Sequence, residues 1–562
     1  MLVRSVFFAT FFFLSIYAQA YNLRWARSMG GSDIAMPQSV AVDNKGNVFT
    51  TGMFQGTVDF DPGPATFNLT SSGDLDIFVS ELDSSGNFIW AARMGGTDDD
   101  RGLSVTTDAS GYVYITGFFN SSCDFDPTDE EYNLTSIGGN NAFIVKLNSD
   151  KDLVWVKSFS GVSSASGFSI KVDEAGNIYT TGAFAGTIDF DPGYGFYNLT
   201  SSGLGAAFIS KLDKNGNFIW TKQLDATLGV ASYSLSIDYF QNVYIEGNFL
   251  GICSFDSGAA THNIVSSGRS DVFVARLDTA GNFKWVKTFG GTDDEFGTAA
   301  AADNNGGVVI TGEFTATCDF DPGTGVCNFI KEGSELYNTF LCRLDSSGNL
   351  TWAKSYDAMF GKAVAVNGNG NIFVSGDFGT MPTVDFDPGP EAFMLTSHGN
   401  FDVYVSEFTR SGNFVTAYCF GGGSGASCYS MAVDQDNNIY TCGTFSGSVD
   451  FDPSNEDYSL SSRGSEDIFV HKMGRGYLST ANSMSLTEVC SVYPNPATNE
   501  LSVTGIPTAT NYRILTVTGN SVQTGLLPKG SCTIVLPNIS AGMYILEMTS
   551  SDGKNVIHFI KR

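Results

Sequence analysis

Short runs of alternating apolar and polar residues, broken by Gly, Asn, Asp and Pro, fill most of the chain, and no stretch of the repeated region places apolar residues at helical spacing. The segments SVAVDNKGNVFTTGMF and DLDIFVSELDSSGNFIWAARMGG predict four β-strands joined by tight turns. Between them lies GTVDFDPGPATFNLTSSG, and its first acidic position recurs at Asp59, Asp124, Asp189, Ser254, Asp319, Asp385 and Asp450. The spacing is 65 residues throughout except for one step of 66. Self-similarity at a fixed period decides architecture before any local reading, because each unit must bury its apolar face against its neighbours.

The two ends of the array specify how it closes. After residue 20 the chain opens with NLRWARSMGG, which matches NFIWAARMGG, a fourth strand without its first three. It leaves the array with EDIFVHKM, which matches LDIFVSEL, a third strand without its fourth. The N-terminal strand can complete the last unit and leave no open edge. The predicted fold is therefore all-β: a seven-bladed β-propeller over residues 21–476, closed by its N-terminal strand. On these residues the chain resembles the seven-bladed β-propeller repeat proteins of bacterial cell surfaces. That resemblance implies a fold and little chemistry, since propellers host hydrolases, lyases, adhesins and scaffolds alike.

Within each unit the DxxGN segments, such as Asp43 to Asn47 and Asp83 to Asn87, read as turns in which Gly supplies positive φ and Asp accepts from its own turn amides. An EF-hand reading of DKNGN at Asp213 fails, because Leu224 occupies the twelfth position where a bidentate acid is required. All six tryptophans, Trp25, Trp90, Trp155, Trp220, Trp285 and Trp352, fall in one register of the repeat, as expected of packing between units. NLT at Asn68, Asn133 and Asn198 matches a glycosylation acceptor but also occupies equivalent strand positions.

Residues 1–20 place Arg4 before an apolar run ending in Ala18-Gln19-Ala20 and read as a secretory signal peptide. No later stretch is apolar enough to span a bilayer, so no transmembrane segment is expected in the mature chain. The balance of 59 acidic against 30 basic residues, −29 in all, excludes nucleic acid as a partner and makes cations the natural complement. Residues 477–489 read as a linker, and residues 490–562 as a small immunoglobulin-like β-sandwich. This last segment looks like the C-terminal sorting domain read by the type IX secretion system of the Bacteroidetes group. The resemblance is carried by Pro494-Asn495-Pro496, by Gly542 with Tyr544, and by Lys561-Arg562. It implies that the secretion machinery is a partner and that the chain is exported through the periplasm to the cell surface or medium.

Chemistry is sparse. The four histidines are scattered, there is no HExxH or GxSxG, and Asp83, Gly86 and Trp90 miss the spacing of a sialidase Asp-box. The paired acids of the recurrent stretch, Asp59 and Asp61, Asp124 and Asp126, Asp189 and Asp191, Asp319 and Asp321, Asp385 and Asp387, Asp450 and Asp452, are candidate calcium ligands. The structural reading, a turn repeated in every unit, is favoured over the metal reading, since a single ligand site has no need of near-identical copies. In the fifth unit Cys318 and Cys327 replace a β-branched and an aromatic residue together, which predicts a disulfide, or at least close packing, across the hairpin. The resulting expectation is an exported, non-catalytic binding or structural module for a surface glycan or envelope protein. The alternative is a secreted carbohydrate-active enzyme working from acids on one face of the ring.

Overall fold

The computed structural model describes residues 21–475 and 491–561, except 129, 256–262, 304, 332–335, 359, 380–382 and 455 in the first span and 494–496, 507–509, 517–520, 537–538, 541 and 551–552 in the second. Every regular element among the described residues is a β-strand, and the chain divides into two compact units, Met1–Gly476 and Tyr477–Arg562.

In the first unit each of the first six repeats contributes four antiparallel strands. Repeat one uses Ala35–Val42, Val48–Phe54, Asp76–Leu82 and Phe88–Gly96, paired in that order. The last repeat supplies only Ala426–Val433, Ile439–Phe445 and Asp467–Arg475, and its fourth strand is Tyr21–Gly31 from the other end of the chain. That pairing runs from Tyr21 opposite Arg475 to Met29 opposite Ile468. The first strands of successive repeats touch one another in sequence order, and Ala35–Val42 touches Ala426–Val433, so the arrangement is propeller-like.

A device for joining repeats lies in these first strands. In all seven, one residue bulges out of the pairing with the second strand, at Gln38, Leu103, Phe168, Tyr233, Thr298, Lys362 and Tyr429. The next residue is serine in five repeats. Its hydroxyl accepts a backbone N–H from the first strand of the following repeat: Ser39 from Val105 at 3.2 Å, Ser104 from Ile170 at 3.3 Å, Ser169 from Leu235 at 3.2 Å, Ser234 from Ala300 at 3.0 Å and Ser430 from Val40 at 3.2 Å. The bond from Val40 to Ser430 joins the first repeat to the last. Ala299 and Ala363 hold the same position in the fifth and sixth repeats, where this bond cannot form.

The second unit consists of a three-stranded and a four-stranded antiparallel sheet. Leu501, Val503 and Ile534 of the first share one apolar core with Ile514, Leu546 and Met548 of the second.

Candidate functional site

The recurrent DFDPG stretch is a hairpin arm between the second and third strands. In repeat one Thr57–Asp59 pairs with Asn68–Thr70, and the arm also pairs backward with the preceding fourth strand, Asp59 opposite Gly30 and Val58 opposite Gly31. The same backward step occurs from Asp124 to Gly95, from Asp189 to Ser160, from Ser254 to Asp225, from Asp319 to Gly290 and, as a single bridge, from Asp450 to Gly421. Six of the seven arms therefore clasp the neighbouring repeat through their backbone, and the sixth, Thr383–Asp385, pairs only within itself among the described residues.

The phenylalanine between the two acids is the anchor of this clasp. Phe60, Phe125, Phe190, Phe255, Phe320, Phe386 and Phe451 are all completely buried. Phe190 sits 5.2 Å from Phe184 and 4.9 Å from Phe208 of its own repeat, and 5.1 Å from Phe159 of the repeat before. Such ring contacts add to area burial of roughly 2–3 kcal/mol per side chain.

The acids serve the backbone. Asp189 Oδ1 accepts the amides of Asp191 at 3.0 Å and Tyr197 at 2.8 Å, while Asp191 Oδ1 accepts that of Gly193 at 2.9 Å. Asp59, Asp124, Asp319, Asp385 and Asp450 each accept the corresponding two amides, and Asp61, Asp126, Asp321, Asp387 and Asp452 the corresponding one. Among the described residues no group of three or more His, Cys, Asp or Glu side chains is gathered in a way that could hold a metal ion. A turn and a metal site respond differently to substitution. Asp189→Asn keeps the accepting oxygen and is expected to leave stability within about 0.5 kcal/mol, whereas Asp189→Ala loses both bonds and about 2 kcal/mol. Urea unfolding of the two variants measures this, and equal losses would speak for a charge-dependent ligand instead.

Cys318 and Cys327 are both free thiols, which corrects the expected disulfide. The reason is register: Cys318 lies opposite Phe329, and Cys327 lies opposite Phe320, whose N–H it accepts at 3.0 Å. The two cysteines are diagonal neighbours, about 7–8 Å apart in such a ladder and beyond disulfide reach.

Of the sorting-signal residues, Gly542 and Lys561 are cross-strand partners. The buried Tyr544 donates its hydroxyl to the Ser540 carbonyl at 3.0 Å. Pro494, Asn495, Pro496 and Arg562 lie outside the described residues. Ala497 forms a parallel bridge with Lys561, so the start of the module returns to its last strand.

The repeats depart most from one another beside the first strands of repeats four to seven. Where repeats one to three carry Met53, Phe118 and Ala183, the next four carry Asn248, Glu313, Asp377 and Thr444. Asp377 accepts from the Cys428 amide and the Ser427 hydroxyl, each at 2.8 Å, and pairs with Lys362 Nζ at 3.0 Å. Lys362 is the bulged residue of repeat six, and its ammonium lies 5.1 Å from the Tyr429 ring centre. Burial pushes the Glu313 carboxyl up to about 8, against the pull of Lys362. A further position breaks the pattern with charge: Glu246 stands where Thr51, Thr116, Thr181, Thr311, Ser375 and Cys442 occur, and it is completely buried. Sequence reasoning missed these positions. They are visible only as departures once the repeats are aligned, since none belongs to a recognisable motif.

Buried acids give the protein a specific pH response. Burial also raises Asp100 to about 7 and Glu295 to about 8, from ordinary values of 3.8 and 4.5. A carboxyl raised in the folded state holds its proton where the unfolded chain has lost it, so stability falls as pH climbs from about 4.5 to about 8. His471, lowered to about 3 by burial, acts in the opposite sense only below its ordinary 6.5. Unfolding free energy is expected to drop by roughly 4 kcal/mol between pH 6.5 and 8.5, and denaturation at the two pH values measures it; no drop would refute the buried acids.

Comparison with known proteins bears chiefly on the second unit. No helix of the described residues is long and apolar enough to cross a membrane. The chain is 23% identical over 601 residues to an uncharacterized WD repeat-containing protein of Acanthamoeba polyphaga mimivirus, covering 92% of this chain and 43% of that one. It is 26% identical over 310 residues to the regulatory protein FlaEY of Caulobacter vibrioides, covering 51% of this chain and 31% of that one. It thus spans less than half the length of either relative. Among solved structures it is similar to PorZ, a surface component of the type IX secretion system of Porphyromonas gingivalis, at 12% identity and a TM-score of 0.18, covering 96% of this chain and all of that one. It is also similar to an auxiliary nutrient binding protein of Bacteroides ovatus, at 10% identity and a TM-score of 0.25, covering 79% and 98%. Residues 491–562 match the family model of the secretion system C-terminal sorting domain, which implies export to the cell surface or extracellular space.

Proposed function

We propose that residues 21–476 form a seven-bladed β-propeller that an immunoglobulin-like sorting domain delivers, after removal of a signal peptide, through the type IX secretion system. At the surface or in the medium it acts as a non-catalytic binding module for a glycan or an envelope protein. The observation that carries this reading is the use made of the repeated chemistry. The DxD carboxylates fix the turn of each arm and the seven buried phenylalanines anchor the arms, while polar residues replace Met53, Phe118 and Ala183 at one second-strand position in repeats four to seven. Repetition builds a rigid frame, and departure from repetition marks where a frame is put to use.

Capture of native surface polysaccharide and envelope proteins by the immobilised mature chain tests the reading; failure to retain either class removes it. Deletion of residues 490–562 should leave the protein in the periplasm. Calcium as a stiffening ligand of the arms is tested by a melting curve with and without chelator. The arm hydrogen bonds favour an unchanged midpoint, and a drop of several degrees on chelation would restore the ion.

One observation favours a second reading, a carbohydrate-active enzyme. Glu313, holding its proton to about 8, lies close enough to Lys362 and Asp377 to feel both charges, and a carboxylic acid kept protonated near neutrality is what a glycosidic proton donor requires. Release of reducing sugar from captured polysaccharide, abolished in Glu313→Gln, would establish it.

A further inference from the structure

The start of each first strand lies opposite the end of the second, and the residues paired there differ around the array. The pairs are Met36 with Met53, Arg101 with Phe118, Ser166 with Ala183, Ala231 with Asn248, Phe296 with Glu313, Phe360 with Asp377, and Ser427 with Thr444. Repeats five and six alone set an aromatic ring directly across from a carboxyl group. Tyr337 bridges the two rings, 6.3 Å from Phe296 and 6.1 Å from Phe360. Lys362 continues the row, with its ammonium 5.3 Å from the Phe360 ring centre and 5.1 Å from that of Tyr429.

The polar groups of this row are unequally committed. Asp377 is fully engaged by Lys362, Ser427 and the Cys428 amide. Glu313 is only 8% exposed, yet no described residue hydrogen-bonds its carboxyl group. A buried carboxyl group with no partner in the chain has unmet hydrogen-bonding capacity that a ligand can take up in place of water. The charge of Lys362 is already balanced by Asp377, so the vacancy at Glu313 calls for hydroxyl groups rather than for a second formal charge. Aromatic rings spaced along such a row offer apolar faces to the C–H side of a flat polyol.

We propose that Phe296, Glu313, Tyr337, Phe360, Lys362 and Tyr429 form a binding site for the neutral pyranose end of a glycan. The rings of Phe296, Tyr337 and Phe360 receive the sugar's C–H face. Glu313 and the outward side of Lys362 exchange hydrogen bonds with its hydroxyls. This deepens the binding reading above and rests on it.

Titration of the mature full chain with glucose, galactose, mannose and N-acetylglucosamine, followed by saturation-transfer NMR, tests the site. Glucuronate and glucosamine serve as charged counterparts. At least one neutral sugar is expected to bind saturably, with affinity reduced tenfold or more in Glu313→Ala and in Tyr337→Ala. Asp191→Asn, on a distant arm, should bind as the natural chain does. Glu313→Gln, which keeps the shape and one acceptor, should lose less than Glu313→Ala and guards against a folding artefact.

The proposal is overturned if no neutral sugar binds, if only the charged sugars do, or if Glu313→Ala and Tyr337→Ala bind normally. Capture of native polysaccharide by those same two variants separates the two claims. Undiminished capture leaves the binding module standing and removes this site, whereas no capture by the natural chain removes the module itself.

Discussion

Deleting residues 21–31 is expected to abolish cooperative folding of the repeat unit, and the same residues supplied as a free peptide to restore it. The deleted strand closes the last sheet by pairing with Asp467–Arg475 and also receives the first arm at Gly30 and Gly31. Tyr21, Trp25, Ala26 and Met29 are each at most 5% exposed. Losing three large buried side chains removes about 6 kcal/mol of apolar burial, comparable with the whole stability of an ordinary domain. The loss extends further, because Trp25 Nε1 donates to the Ser84 carbonyl at 3.1 Å and Arg27 to those of Ser85 and Gly86, all in a turn of the next repeat. An unpaired edge on Asp467–Arg475 would then invite association between chains. Circular dichroism and gel filtration of the truncated chain, with and without the peptide, measure the effect. A truncated protein melting at the natural midpoint would show that the ring does not depend on its N-terminal strand.

That closure was legible because it needs only pattern matching: a fourth strand missing at one end and present at the other. The arm was legible as an insertion, since its 18 residues lengthen every repeat alike. Its working part was not. The sequence draws the eye to Asp59 and Asp61, which conform to a metal motif, and not to Phe60 between them. The structure buries that phenylalanine between repeats and spends the acids on amides. Alternation predicts which residues share a face of one sheet, but not which sheet lies against that face. The cysteine pair failed for a related reason. Counting nine residues from Cys318 to Cys327 fixes a hairpin, while the facing partner depends on a register that puts Phe329 opposite Cys318. Serines 39, 104, 169, 234 and 430 recur as regularly as the tryptophans, yet serine in a strand has many uses. Only the bulge beside them turns their hydroxyls toward the next repeat.

Replacing Glu246 by threonine is expected to stabilise the protein by about 3 kcal/mol, which is the clearest consequence of reading one repeat against the others. At the equivalent position Thr51, Thr116, Thr181 and Thr311 donate to the carbonyls of Phe78, Phe143, Phe208 and Phe340 at 2.6 to 2.9 Å. In repeat four the same place holds a completely buried carboxyl group with neither oxygen hydrogen-bonded, and burial drives its proton affinity well above the ordinary range. Threonine would restore the donor to the Phe273 carbonyl and remove the desolvated acid, at the cost of a small loss of volume. Because the folded chain holds the Glu246 proton long after the unfolded chain has released it, the gain should be larger at pH 8.5 than at pH 5.5, and urea unfolding at both values reads it directly. A destabilised Glu246→Thr variant would mean that the carboxyl group is held by something the repeat logic does not see. A stabilised variant that also binds the neutral sugar more weakly would show stability given up for function. Tyr233, on the first strand of the same repeat, lies close enough to feel the Glu246 charge and is 41% exposed, so Tyr233→Phe should leave the gain from Glu246→Thr unchanged if that gain comes from removing the desolvated acid alone.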